Sequence, residues 1–189
     1  MTTESLTPDT QAVGVHTFNV DLSHSQVSFS VRHLGFSKVR GRFSAFEATV
    51  QLDPSDLSTL TTEATIEAAS VTTGQEQRDT HLRSADFFDA DTFPTLSFKS
   101  TGVEAVSGDT LKLSGDLTIH GVTRSVVLAV EYLGTAIDPW GGHRVAFEAK
   151  TTINRKDFGL MWNSVLESGG LLVGEEVEIS LEIQAVQQG

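Results

Sequence analysis

From His16 onward, apolar and polar residues alternate along most of the chain. A period of two puts successive side chains on opposite faces of an extended segment, so each such run predicts a β-strand with one face hidden. Val27, Phe29, Val31 and His33 alternate with Gln26, Ser28, Ser30 and Arg32. Phe46, Ala48, Val50 and Leu52 form a second face of this kind, and Ala64, Ile66 and Ala68 a third. Residues 96–106 add another strand. Leu111, Leu113, Leu117 and Ile119 follow, then Val126, Leu128 and Val130. Val145, Phe147, Ala149 and Ile153 come next, and Val177, Ile179, Leu181 and Ile183 complete eight main strands, with a short one near residues 17–20. Ser107-Gly108-Asp109 and His120-Gly121-Val122-Thr123 suit tight reversals, because glycine supplies the positive φ that such turns need. Neighbouring strands are therefore antiparallel.

Two segments interrupt the alternation. Thr73 and Glu76 have the spacing of a capping box and predict a short helix over residues 75–84. Residues 158–170 contain Trp162, Val165 and Leu166 before Gly169-Gly170. Both segments are long enough to fold over an opening. Such strands either stack as a sandwich or close as a barrel, and closure removes sticky strand edges, so an all-β barrel of about eight antiparallel strands is the expectation from the pattern. A barrel of about eight strands either fills with side chains or holds one small ligand. The inward face mixes large residues (Phe29, Phe46, Phe147) with small ones (Ala48, Ala64, Ala68, Ala149), so the pattern leaves packed and hollow interiors level. Phe87, Phe88, Phe93, Phe158 and Trp162 cluster in the two irregular segments, either as a plug or as ligand contacts.

Length and charge narrow the partners. The 189 residues amount to one domain, expected over residues 15–189 with a flexible tail over 1–14. A formal charge of −12 disfavours nucleic acid and strongly anionic membranes. No run approaches the roughly 18–20 apolar residues of a membrane span, so stable membrane insertion is not expected. Residues 1–14 lack the basic and apolar regions of a secretory signal, which makes a cytoplasmic location the expectation. Cysteine is absent, which excludes disulfides and thiolate chemistry.

Motifs for catalysis are missing: there is no G-x-S-x-G elbow, H-E-x-x-H, P-loop or G-x-G-x-x-G. Asp79 and His81 form the tightest acidic–imidazole pair, and they carry the alternative of a small-molecule hydrolase or isomerase. In the structural reading, Arg78, Asp79 and His81 pin the helix to the barrel. Asn154 and Arg155 either anchor the turn into Phe158 or contact a ligand head group. No cofactor and no metal ligand set is indicated.

Several stretches together are similar to one family. They are residues 20–34 (VDLSHSQVSFSVRHL), Gly41-Arg42-Phe43 with Phe46, residues 70–73 (SVTT), residues 78–89 (RDTHLRSADFFD), residues 93–100 (FPTLSFKS), residues 115–123 (GDLTIHGVT) and residues 153–159 (INRKDFG). This ordered set resembles the YceI-like family of polyisoprenoid-binding proteins, over about residues 16–187. The resemblance implies the fuller fold class, an all-β, lipocalin-like eight-stranded antiparallel up-and-down β-barrel with short helices capping one end. With it comes an elongated pocket for amphiphiles such as polyprenyl compounds, isoprenoid quinones or fatty amides. It implies a binding protein rather than an enzyme, and it leaves a homodimer open. Many such proteins carry an export signal, which keeps a periplasmic or extracellular location as the alternative.

The expected function is binding, with transport or storage, of a long isoprenoid or other amphiphilic lipid; a ligand-free stress-response interaction module is the further alternative. The channel wall expected from inward parity comprises Val27, Phe29, Val31, Phe46, Val50, Ile66, Phe98, Leu117, Ile119, Leu128, Phe147, Val177 and Ile179. Phe88, Phe158, Trp162 and Leu166 are expected to close one end, and His33, His81, Asn154 and Arg155 to supply polar contacts.

Overall fold

The computed structural model describes residues 14–189, so the tail expected over residues 1–14 lies, apart from Gly14, outside the described residues. The elements are β1 (His16–Val20), β2 (Gln26–His33), β3 (Ser37–Phe43), β4 (Phe46–Asp53), β5 (Asp56–Glu67), β6 (Val71–Thr72), α1 (Glu76–Arg83), β7 (Thr95–Ser107), β8 (Thr110–Ile119), β9 (Val122–Ile137), β10 (His143–Asn154) and β11 (Val173–Gln187). Every pairing is antiparallel. The ring runs β1-β4-β5-β7-β8-β9-β10-β11, and β11 returns to β1. The remaining strands are extensions of these: β2 continues β1 along β11, β3 leads into β4, and β6 continues β5. Eleven segments thus make eight long strands, wound in sequence order into a closed up-and-down barrel. Closure leaves no long unpaired edge around most of the circumference.

Three consecutive long strands break at one level. A 3-10 turn at Leu22–His24 separates β1 from β2, Ser44 and Ala45 separate β3 from β4, and a 3-10 turn at Ala68–Ser70 separates β5 from β6. Backbone groups freed by a break must find other partners. Serines supply them: Ser25 Oγ donates to Gln184 O at 3.1 Å and accepts from Gln184 N at 3.0 Å, and Ser70 Oγ donates to Ala45 O at 3.3 Å. The Ser44 amide donates to Ser70 O at 3.2 Å.

The sequence pattern did not reveal β3. Its inward face is Val39, Gly41 and Phe43, with a glycine at the centre, so the apolar signal is weak. The β8–β9 reversal is the expected one, made by His120 and Gly121 at φ 52° and 72°, the pair of positive values that a two-residue hairpin turn requires.

At one end of the barrel, Phe18, Leu52, Leu111, Val145 and Ala185 pack into a closed core. An ion-paired knot reinforces that end: Arg144 Nη1 reaches Asp21 at 2.8 Å and its Nε reaches Asp138 at 2.9 Å. The other end is covered by α1 and by residues 159–172.

The expected capping box is absent. The N-cap of α1 is Gln75, without a side-chain cap bond. Thr73 stands two residues too early to cap the helix. Its hydroxyl instead donates to Asp79 Oδ1 at 2.5 Å and accepts from Arg78 Nε at 2.7 Å. Arg83 then ties the helix to the strand beside it, donating to Ala69 O at 2.9 Å and Val71 O at 3.2 Å.

Candidate functional site

Between the closed core and the cap, the barrel encloses an apolar cavity of about 330 Å³. Its existence traces to particular inward positions. Phe29 stands opposite Gly41 across the β2–β3 pair. Gly41 has no Cβ, and one placed there would run into the Phe29 ring. Phe98 lies over Gly115 in the same way. Both rings are thereby laid against the wall rather than across the lumen. Ala48, Ala64 and Ala149 border the cavity with side chains too short to span it, as do Thr62 and Thr151. Thr62 is not a free polar group, since its hydroxyl donates to Thr49 O at 2.8 Å.

Polar and aromatic groups collect toward the cap. His81 Nε2 lies 2.8 Å from Asp86 Oδ2. Its ring meets Trp162 edge-on with centroids 4.7 Å apart, and Phe87 likewise at 5.1 Å. Phe88 packs edge-on against Phe43, which in turn contacts Phe29, so an aromatic row links the cap to the wall.

Arg155 is 3% exposed and borders the cavity. Its guanidinium donates to four backbone carbonyls: Gly174 O at 2.8 Å, Leu160 O at 2.6 Å, Trp162 O at 2.9 Å and Val173 O at 3.5 Å. Leu160 and Trp162 stand at the start of the segment that covers the barrel, and Val173 and Gly174 open the strand that follows its other end, so Arg155 acts as its latch. Burial pushes the guanidinium below its ordinary value, and the nearby Glu175 carboxylate opposes that shift.

All the side chains assigned to the channel wall by parity, from Val27 to Ile179, border the cavity, together with Phe88, Trp162, His33, His81 and Arg155. Three expected residues lie off the wall. Asn154 caps the following 3-10 turn by accepting from the Lys156 amide at 3.0 Å. Phe158 is turned into the core beneath the cap, 1% exposed. Leu166 sits on the covering segment, its amide donating to Gly170 O at 2.8 Å. Ala68 is likewise in the core rather than on the wall.

Other wall residues escaped the sequence reading. Leu113 and Val130 had the right parity and could have been included. Val39 and Phe43 belong to the unrecognised β3, and Arg78 comes from the helix.

The Asp79–His81 pair does not form. Residues two apart on a helix face different ways. His81 turns to Asp86, while Asp79 is buried against Thr73, accepting from its amide at 2.8 Å as well as from its hydroxyl. Burial pushes the Asp79 carboxyl up, but the two Thr73 donors, the Thr72 hydroxyl and the Arg83 charge together hold the group below its ordinary value. A carboxylate held that way is a poor proton acceptor near neutral pH. Among the described residues, no group of three or more His, Asp or Glu side chains could hold a metal ion.

A model of the YceI-like domain matches residues 18–185. The chain belongs to the YceI-like family. A UPF0312 protein of Pseudomonas paraeruginosa is 38% identical over 165 residues, covering 87% of this chain and 83% of that protein. One from Vibrio cholerae is 38% identical over 138 residues, or 73% of each chain. Among solved structures, Burkholderia cenocepacia BcnA superposes with a TM-score of 0.78 at 26% identity, over 88% of this chain and 99% of that one. The Campylobacter jejuni YceI protein gives 0.72 at 30% identity, over 84% and 90%. A polyisoprenoid-binding domain from Saccharophagus degradans gives 0.68 over 90% and 98%; at 16% identity, this likeness concerns the fold.

Proposed function

We propose that this protein binds one long amphiphilic lipid, an isoprenoid or a comparable apolar chain, with the tail inside the barrel and the head at the capped end, and that it carries or stores that lipid. The observation that supports this reading is the cavity itself. It is far larger than the roughly 10–15 Å³ that one water needs, and its wall offers water almost nothing to bond. A tail gains roughly 0.8 kcal/mol for each CH₂ removed from water, so it can bind there with few polar contacts. Among the polar groups that border the cavity, His81, Arg78 and Arg155 come from the cap side, where a head group would stop. The polyisoprenoid-binding neighbour of the same fold is consistent with this ligand class. The Asp79–His81 geometry gives no support to a hydrolase, and a ligand-free module would have no use for a hollow midsection.

The test is extraction of the purified protein with organic solvent followed by mass spectrometry, beside a native mass spectrum of the intact protein. The expected result is about one equivalent of a long-chain lipid. A clean apo mass with no uptake of added polyprenyl alcohol contradicts the reading.

A further inference from the structure

The charge of −12 is unevenly spread. Residues 22–46 contain no Asp or Glu, although the chain has 25 of them. The same stretch carries Arg32, Lys38, Arg40 and Arg42. These fall on the β2–β3 hairpin, at positions of outward parity. Arg32 stands opposite Lys38, Arg40 opposite Ser30 and Arg42 opposite Ser28, so all four share one face. Glu178 on the neighbouring β11 pairs with Lys38 at 2.6 Å; the three arginines are exposed.

The tip of this hairpin is apolar. Phe36 is 84% exposed, and beside it Leu34 holds a positive φ of 55°, a conformation uncommon for a leucine. The Leu34 amide donates to Leu172 O at 2.9 Å. That bond joins the tip to the covering segment, where Met161, Val165 and Leu171 are also exposed. Both segments border the cavity at their bases, through Val31, Val39, Trp162 and Val173. Beyond β2, β3 is paired only at Arg42 and Phe43, with β6, so Ser37–Gly41 is a free edge beside the cavity. Charges of either sign would protect such an edge from pairing, but they do not account for an apolar tip.

We propose that this rim docks on a lipid bilayer bearing anionic head groups: Phe36 and its apolar neighbours enter the interface, the arginine face meets the phosphates, and the cavity opens toward the membrane from which its lipid is taken or to which it is returned. Local charge complementarity selects this occupant, despite the net negative charge of the whole chain. The exposed Trp140 at the opposite end has no such complement, lying beside Asp138, whose carboxylate accepts from its amide at 3.0 Å. The proposal rests on the lipid-binding reading above.

The test uses the full chain and two readouts: flotation with vesicles of phosphatidylcholine, with or without about a third phosphatidylglycerol, and uptake of a soluble fluorescent fatty-acid analogue without vesicles. The protein should float with anionic vesicles and not with neutral ones, and should be released at 1 M salt, where the screening length shrinks to about 3 Å. Arg40→Ser and Arg42→Ser should each weaken vesicle binding about fivefold. Phe36→Ser should weaken it as well, and Trp140→Ser should not; all four variants should still take up the analogue. Vesicle binding that is absent, or equal in the wild type and the rim variants, while uptake persists overturns the docking proposal alone. Self-association lost in Phe36→Ser, without vesicle binding, would assign the rim to a second copy of the chain and overturn it too. Failure of the wild type to take up any analogue overturns the lipid-binding reading and this proposal together.

Discussion

At the closed end of the barrel, Leu52, Leu111, Val145 and Ala185 are wholly buried. Toward the cap, Phe29, Val31, Val177 and Ile179 face inward yet are only half-buried. The two regions share the same strands and the same alternation. They differ in what stands opposite. The closed end sets Phe18 and leucines against one another, whereas the midsection sets aromatic rings over Gly41 and Gly115 and intersperses short alanine and threonine side chains among its larger apolar ones. One end of the barrel is built to hold the fold together, and the other leaves contacts unmade that a ligand can supply.

The largest expected effect comes from breaking the packed end. Leu111→Ala should cost about 2–5 kcal/mol of stability, measured by urea unfolding of delipidated protein. Val177→Ala on the cavity wall should cost about 1 kcal/mol or less, because that side chain already borders a void. Equal losses would mean that the two ends are packed alike.

Arg155→Met should be next. It strips donors from four carbonyls and should cost about 1–3 kcal/mol. Hydrogen exchange over residues 160–173 should accelerate, with little change at the closed end. Gly41→Ala comes after it. The new methyl meets the Phe29 ring and the Thr73 side chain, so the ring has to swing into the lumen. Stability should fall by about 1–2 kcal/mol, and lipid affinity should fall by tenfold or more in a titration.

The smallest effect concerns pH. The Asp21 carboxyl is held well below the ordinary carboxylate value, first by Arg144 and then by His24. Its stabilisation is complete above the unfolded value of about 3.9 and is lost as pH falls through the folded one. Acid unfolding curves should therefore steepen below about pH 4, and Arg144→Met should flatten that limb while leaving lipid uptake unchanged.

The barrel was legible in the sequence because alternation with a period of two is a backbone property that tertiary contacts merely exploit. The wall was legible for the same reason, wherever the apolar face was continuous. What failed were local choices decided by partners distant in sequence. Thr73 looked like a helix cap, and the geometry of Asp79 and Arg78 claimed it instead. Asp79 and His81 looked like a pair because they are close in sequence, yet the helix sends them to Thr73 and Asp86. β3 hid behind a glycine whose purpose is to make room for Phe29, a residue on another strand. Whether the interior was hollow depended on which small residue faces which ring across the lumen, and one strand's pattern does not encode that.

The two tryptophans offer the most direct test of a lipid tail in the midsection. Trp162 borders the cavity, and Trp140 lies exposed between β9 and β10 at the other end. A long-chain fatty amide brominated along its tail quenches indole fluorescence only on close approach. In Trp140→Phe protein the remaining Trp162 should be quenched in a saturable titration approaching one equivalent, while in Trp162→Phe protein the remaining Trp140 should keep its emission. Quenching of both to the same degree, or of neither, would contradict a tail held inside the barrel.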